Sequence, residues 1–117
     1  MIARIWRGYT SLQNAESYET LLKNEVFIEI INKKIKGLRS IQRLRQTIGS
    51  EVEFLIIIYF EELAALVDFA CSFYHEPVVP DKVKKLLTRY DTISRHYNAV
   101  ALTDSLEMSK NGLETFI

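Results

Sequence analysis

The side chains best suited to chemistry in this 117-residue chain are few: two histidines, one cysteine and one tryptophan. His96 stands in Ser94-Arg95-His96-Tyr97, where a neutral imidazole could serve as general base to a substrate proton within hydrogen-bond reach. His75 follows Tyr74 and precedes Glu76, a setting for an acid–base group or an axial ligand. The histidines have no helical or turn spacing that makes a metal pair, so no metal site is expected. Cys71 has no partner for an intrachain disulfide, and a cysteine-based zinc site is excluded within one chain. Trp6 and Phe60 offer aromatic wall, and Tyr59, Tyr90 and Tyr97 offer phenols that could aim at a substrate carbonyl. Arg4 adds a cation to the same set of strands. The chain carries no G-x-G-x-x-G, phosphate loop, H-E-x-x-H or nucleophile elbow, which argues against nucleotide cofactors and zinc hydrolysis.

The elements that must position these groups follow from apolar spacing. Residues 2 to 9 mix β-branched and aromatic side chains and read as a strand. From Ala15 to about Lys33 the apolar positions Tyr18, Leu21, Leu22, Val26, Phe27, Ile30 and Ile31 recur at helical intervals, with Asn14 as N-cap and Gly37 as the stop. Residues 38 to 46 and 51 to 60 form a hairpin around Ile48-Gly49-Ser50, a loop that would set Arg45 opposite Glu53. From Leu55 onward the second hairpin strand is apolar on both faces, as a central strand is. Leu63, Leu66, Val67 and Ala70 give a helix from about Glu61 to Cys71. Beyond Pro77 and Pro80, Asp81 caps a short helix with the stripe Val83, Leu86, Leu87 and Tyr90, and residues 91 to 100 form the last strand. The predicted fold class is α+β, a ferredoxin-like β-α-β-β-α-β arrangement with an antiparallel sheet and both long helices on one face. Residues 1 to 100 make one domain and 101 to 117 a C-terminal extension. With both faces of the central strand apolar, a second copy of the same sheet is the expected cover. The predicted homodimer would bury on the order of 1,600 Å².

Composition limits the functions open to such a domain. Charges balance, with 15 basic and 15 acidic residues, so the cationic surplus of a nucleic-acid binder is missing. The basic stretch from Lys33 to Arg45 is read as a solvated surface paired with Glu51, Glu53, Glu61 and Glu62. The longest apolar run, Phe54 to Phe60, is far short of a membrane span, and no signal-peptide pattern is read at the start. No nucleic-acid or membrane partner is expected, and the expected address is the cytoplasm.

Three segments resemble a known family. They are Met1-Ile2-Ala3-Arg4-Ile5-Trp6-Arg7-Gly8, the stretch from Val52 to Phe60 running on into Glu61-Glu62-Leu63-Ala64-Ala65-Leu66, and the ending Arg89-Tyr90-Asp91 through His96-Tyr97-Asn98-Ala99-Val100. Together they are similar to antibiotic biosynthesis monooxygenase-like proteins of the dimeric α/β-barrel superfamily, over about residues 1 to 100. The resemblance implies a homodimer with an aromatic substrate held between sheet and helices, where the substrate carbanion itself reacts with oxygen and no cofactor is bound. Relatives place an amide and an indole near the end of the third strand; the matching positions here are Ile56 and Phe60. Haem-degrading relatives use an amide on the first strand, a tryptophan ending the third and a histidine after the second long helix, to which Arg7, Phe60 and His75 correspond.

The functional expectation is therefore a monooxygenase-like protein acting without a cofactor on an aromatic or polycyclic small molecule. The alternative is a non-catalytic homodimeric ligand-binding or interaction module, and a haem-degrading relative ranks below both. His96 and His75 are the candidate catalytic residues; Arg4, Trp6, Tyr59, Phe60 and Tyr97 are the candidate pocket. Alternate strand residues face opposite ways, so His96 and Tyr97 cannot both point at one site, and the sequence leaves that choice open.

Overall fold

The computed structural model describes residues 1–70 and 77–100. Strand β1 (Ile2–Ser11) leads into a continuous helical segment with three parts: α1 (Ala15–Leu21), a π-helical turn (Leu22–Val26) and α2 (Phe27–Asn32). The hairpin β2 (Leu38–Ile48) and β3 (Glu51–Phe60) follows, then α3 (Leu63–Ala70), the short α4 (Asp81–Lys84), β4 (Arg89–Tyr90) and β5 (Arg95–Asn98). The sheet order is β2-β3-β1-β4 with β5 also on β1, and every pairing is antiparallel. This is the predicted α+β ferredoxin-like arrangement. Among the described residues no helix is long and apolar enough to cross a membrane.

Directly opposite residues of an antiparallel pair share a face, so the register sorts the side chains. Val52, Phe54, Ile56, Ile58 and Phe60 of β3 lie opposite Thr10, Gly8, Trp6, Arg4 and Ile2 of β1. That inner face packs against Tyr18 and Leu22 of the first helical segment and Leu66 and Phe69 of α3 to form the core. Ala3, Ile5, Leu55 and Ile57 lie on the outer face.

Several local expectations are corrected. Asn14 holds the N-cap position, but its side chain makes no capping bond. The helix ends at Asn32 and the left-handed residue after it is Lys34 (φ 51°); Gly37 (φ 89°) serves a later turn, where its oxygen accepts from the Glu61 amide at 2.7 Å and a Cβ would come within 2.9 Å of Ala65. The hairpin loop is two residues, Gly49-Ser50, not three. Gly49 takes φ 59° as a two-residue hairpin turn requires, and the register moves by one. Glu53 therefore faces Gln46, which donates to it at 2.8 Å, while Arg45 faces Phe54. Arg43 and Arg45 reach Glu19 on α1 (3.3 and 3.1 Å) rather than the hairpin acids; Arg39 does pair with Glu61 at 2.6 Å.

The last strand is broken. Tyr90 ends β4 instead of continuing a helical stripe, and β5 starts only at Arg95. Asp91 occupies the gap opposite Trp6 and Arg7. Its amide donates to the Arg7 oxygen (2.9 Å), its carboxylate accepts from the Arg7 amide (3.1 Å), and its carbonyl accepts from the Trp6 indole (2.8 Å). The C-terminal extension, 101–117, lies outside the described residues.

Candidate functional site

The break in the last strand and the π-helical turn face each other across a partly open cavity of about 70 Å³ between the inner sheet face and the helices. Its floor is Arg4, Trp6, Ile56 and Ile58, and its roof is Tyr18, Leu22, Val26, Phe27 and Ile30. Phe69, the segment Pro77–Pro80, Val83 and Ser94 complete the walls.

Arg4 is 4% exposed, and its Nη1 donates to His96 Nε2 at 2.9 Å. A guanidinium only donates, so Nε2 is the unprotonated nitrogen and its lone pair is engaged. The guanidinium also stands 5.6 Å over the Phe69 ring. Burial pushes the Arg4 pKa down to about 10, which leaves the cation intact at neutral pH. Trp6 is held by its bond to Asp91 and by the Tyr90 ring at 5.9 Å. It lies close over Gly8, where a Cβ would come within 3.1 Å of the indole.

Two further residues of the cavity wall carry buried hydroxyls. Tyr18 is fully buried and packs edge-on against Phe54 at 4.8 Å, and Ser94 is almost as completely enclosed. Neither hydroxyl has a hydrogen-bond partner among the described residues. Burial raises the Tyr18 phenol well above its ordinary pKa, so it is a neutral donor. An unpaired buried hydroxyl costs about 1–3 kcal/mol, and two on one apolar cavity are what a ligand oxygen or an ordered water would satisfy.

The predicted site residues divide between the two faces. His96 lies opposite Arg4 and turns inward; Tyr97 lies opposite Ala3 and turns outward, where it is exposed. Tyr59 is opposite Ala3 as well, so it too lies on the outer face, with its phenol 3.4 Å from Gln42. Arg4 and Trp6 line the cavity; Phe60 lies one layer behind, fully buried against Phe69. His75 lies outside the described residues. Tyr18 and Ser94 were not singled out as site residues from sequence, because a buried hydroxyl announces itself only once its surroundings are known. Among the described residues no group of histidine, cysteine, aspartate or glutamate is arranged to hold a metal ion. The haem positions do not converge either. Arg7 is on the outer face, Phe60 is in the core, and the cavity is far below the size of a haem.

No family model matches the chain, and a search among curated proteins finds no match. Solved structures share the fold. A proposed antibiotic biosynthesis monooxygenase from Deinococcus radiodurans superposes with a TM-score of 0.60 at 17% identity, covering 89% of this chain and 97% of that one. Rv0793 from Mycobacterium tuberculosis gives 0.58 at 18% identity, covering 88% and 98%. A proposed antibiotic biosynthesis monooxygenase from Bacillus cereus gives 0.53 at 13%, covering 88% and 94%. The chain thus has, over nearly the whole length of those proteins, the fold of three structures, two of which are named as proposed antibiotic biosynthesis monooxygenases.

Proposed function

We propose that this chain is a monooxygenase-like protein that binds a small aromatic compound in the cavity beneath the π-helical turn and oxidises it without a bound cofactor. The observation that carries the binding is the pair of hydroxyls, Tyr18 and Ser94, without a partner among the described residues, in the wall of an apolar cavity that also includes the Arg4 cation. A ligand with an apolar body and a polar substituent suits such a wall. The volume excludes the polycyclic compound considered from sequence, since pockets for larger ligands run from about 300 Å³ upward; an apolar cavity that takes benzene measures about 150 Å³, so a single ring requires this one to widen on binding. The oxidative part rests on the shared fold. An activated CH₂ would lose a proton, the carbanion would pass electrons to O₂, and loss of water from the hydroperoxide would leave a carbonyl. One oxygen goes to product and one to water, with no outside reductant. Arg4 supplies positive charge for the anion.

The second reading, a ligand-binding module without turnover, is favoured by one observation: the His96 Nε2 lone pair is taken by Arg4, so a base role at that atom requires the bond to open. Oxygen uptake above the protein-free rate, in the presence of chelator, with a panel of single-ring quinols that keep a free ring carbon, whose keto tautomer carries the activated CH₂, separates the readings. Uptake lost in His96→Ala supports oxidation with His96 as base. Thermal stabilisation by the same compounds without uptake supports binding alone. Neither uptake nor stabilisation overturns both.

We also propose that the outer sheet face, with Ile5, Leu55 and Ile57 at its centre, pairs with a second copy of the chain.

A further inference from the structure

Four residues of the first helical segment facing the cavity, Tyr18, Leu22, Val26 and Ile30, are spaced by fours. A regular α-helix turns about 100° per residue, so each step of four overshoots a turn by about 40°. Measured from Leu22, an unbroken α-helix would put Phe27 about 140° away, Ile30 about 80° away, and Glu29 within about 20°, directly over the cavity. The π-helical turn Leu22–Val26 absorbs one extra residue. That resets Phe27 to about 40° and Ile30 to about 20°, and swings Glu29 about 120° off the cavity. The structure agrees: Phe27 and Ile30 pack on the core, and Glu29 reaches out to Lys82 on α4 at 2.8 Å. The residues within the turn that do not face the cavity, Lys23, Asn24 and Glu25, are exposed.

We infer that the π-helical turn Leu22–Val26 is the size-determining element of the cavity: its one extra residue keeps the two halves of the apolar stripe in phase and spaces Leu22 from Val26 over the sheet. This rests on the reading of the cavity as a ligand site. Deleting the exposed Asn24 converts the turn to regular α-helix without changing the phase of Phe27 and Ile30, so the fold survives. Leu22 and Val26 then stand one residue closer and the space between them closes.

The test uses xenon, a probe small enough for the cavity, with methyl NMR shifts of Val26, Ile30, Ile56 and Ile58 as readout. Wild type is expected to show saturable xenon-induced shifts. The Asn24 deletion is expected to keep the wild-type circular dichroism and a cooperative melt while losing those shifts. A folded deletion variant that still takes up xenon overturns the size role alone. A deletion variant that does not fold overturns the phase argument. Wild type without xenon shifts overturns the ligand-site reading, and the size role with it.

Discussion

The two faces of the sheet are built from the same strands by alternate residues, yet they differ in kind. The inner face is covered by helices, holds a buried cation, and surrounds a cavity whose wall includes Tyr18 and Ser94, with hydroxyls that have no partner among the described residues. The outer face has an apolar centre at Ile5, Leu55 and Ile57, exposed Leu44, Ile48 and Tyr97 around it, and a charged end made by Tyr9, Glu51, Glu53 and Arg89. The difference is one of hydration. A guanidinium or hydroxyl on the inner face has lost its water and must be satisfied by protein or ligand, so it is available for chemistry. The same groups on the outer face keep their water or trade it for exposed ion pairs of little energy.

Phe60→Ala and Leu55→Arg break this comparison most sharply. Phe60 is fully buried against Phe69, and its truncation is expected to lower unfolding stability by about 3–5 kcal/mol in denaturant titrations. Leu55→Arg should leave the melting transition of the monomer cooperative but halve the mass seen in sedimentation, since it places a charge in the proposed face-to-face dimer. A monomeric wild type at micromolar concentration would end the dimer proposal. A Leu55→Arg variant that unfolds like Phe60→Ala would mean that the two faces are not energetically distinct.

Tyr18→Phe and Ser94→Ala sharpen the comparison within the inner face. Each removes a buried hydroxyl with no partner among the described residues, so each is expected to stabilise the ligand-free protein, by about 1 kcal/mol, while weakening binding of any stabilising quinol. A gain in stability together with a loss in affinity marks groups kept for a ligand. The alkaline limb adds a sign check for Tyr18. Its folded pKa is raised, so its contribution is complete below the unfolded value near 10 and is lost as pH rises above it, an alkaline decline that Tyr18→Phe should reduce. Destabilisation by both substitutions would instead show that the hydroxyls are paired, through water, in the native state.

Much of the scaffold was legible in sequence because it follows from period. Alternation fixed the strands, and threes and fours marked the helices. What was not legible depended on a phase or a register between distant segments. Tyr59 and Tyr97 look equivalent to His96 and Phe60 along the chain, and only the pairing of Ala3 with both tyrosines turns them to the outer face. In β3 the unbroken apolar run hides the alternation that would have separated the faces. The π-helical turn had a trace, the repeated spacing of four from Tyr18 to Ile30, which an α-helix cannot keep on one side. The split of the last strand had none: it arises because Asp91 bonds the Arg7 backbone and the Trp6 indole, a contact between residues 85 positions apart. That same break delivers Ser94 to the cavity, so the part of the site hardest to read from sequence comes from an irregularity in the sheet.

The smallest effect concerns the charged end of the outer face. Hydrogen bonds from Arg89, then from Thr88, hold the Glu51 carboxyl below its ordinary value of 4.5, and Gln46 foremost does the same for Glu53. A depressed carboxylate pKa contributes stability that is complete above the unfolded value and is lost as pH falls through the folded one, so the window lies below about pH 4.5. Arg89 lies across the Tyr9 ring at 3.7 Å and pairs with Glu51 at 3.1 Å, but it is largely exposed, so salt screens the pair. In Arg89→Met, Glu51 keeps Thr88 and loses its main cause of depression. Wild type is therefore expected to be slightly more stable than Arg89→Met at pH 6, with the gap closing toward pH 3 and narrowing in high salt. Denaturation midpoints across that range at two ionic strengths measure it. A gap that persists unchanged at pH 3 would show that Arg89 acts through its packing on Tyr9 rather than through charge. The outer face would then be held at this end by the same kind of contact as the inner one.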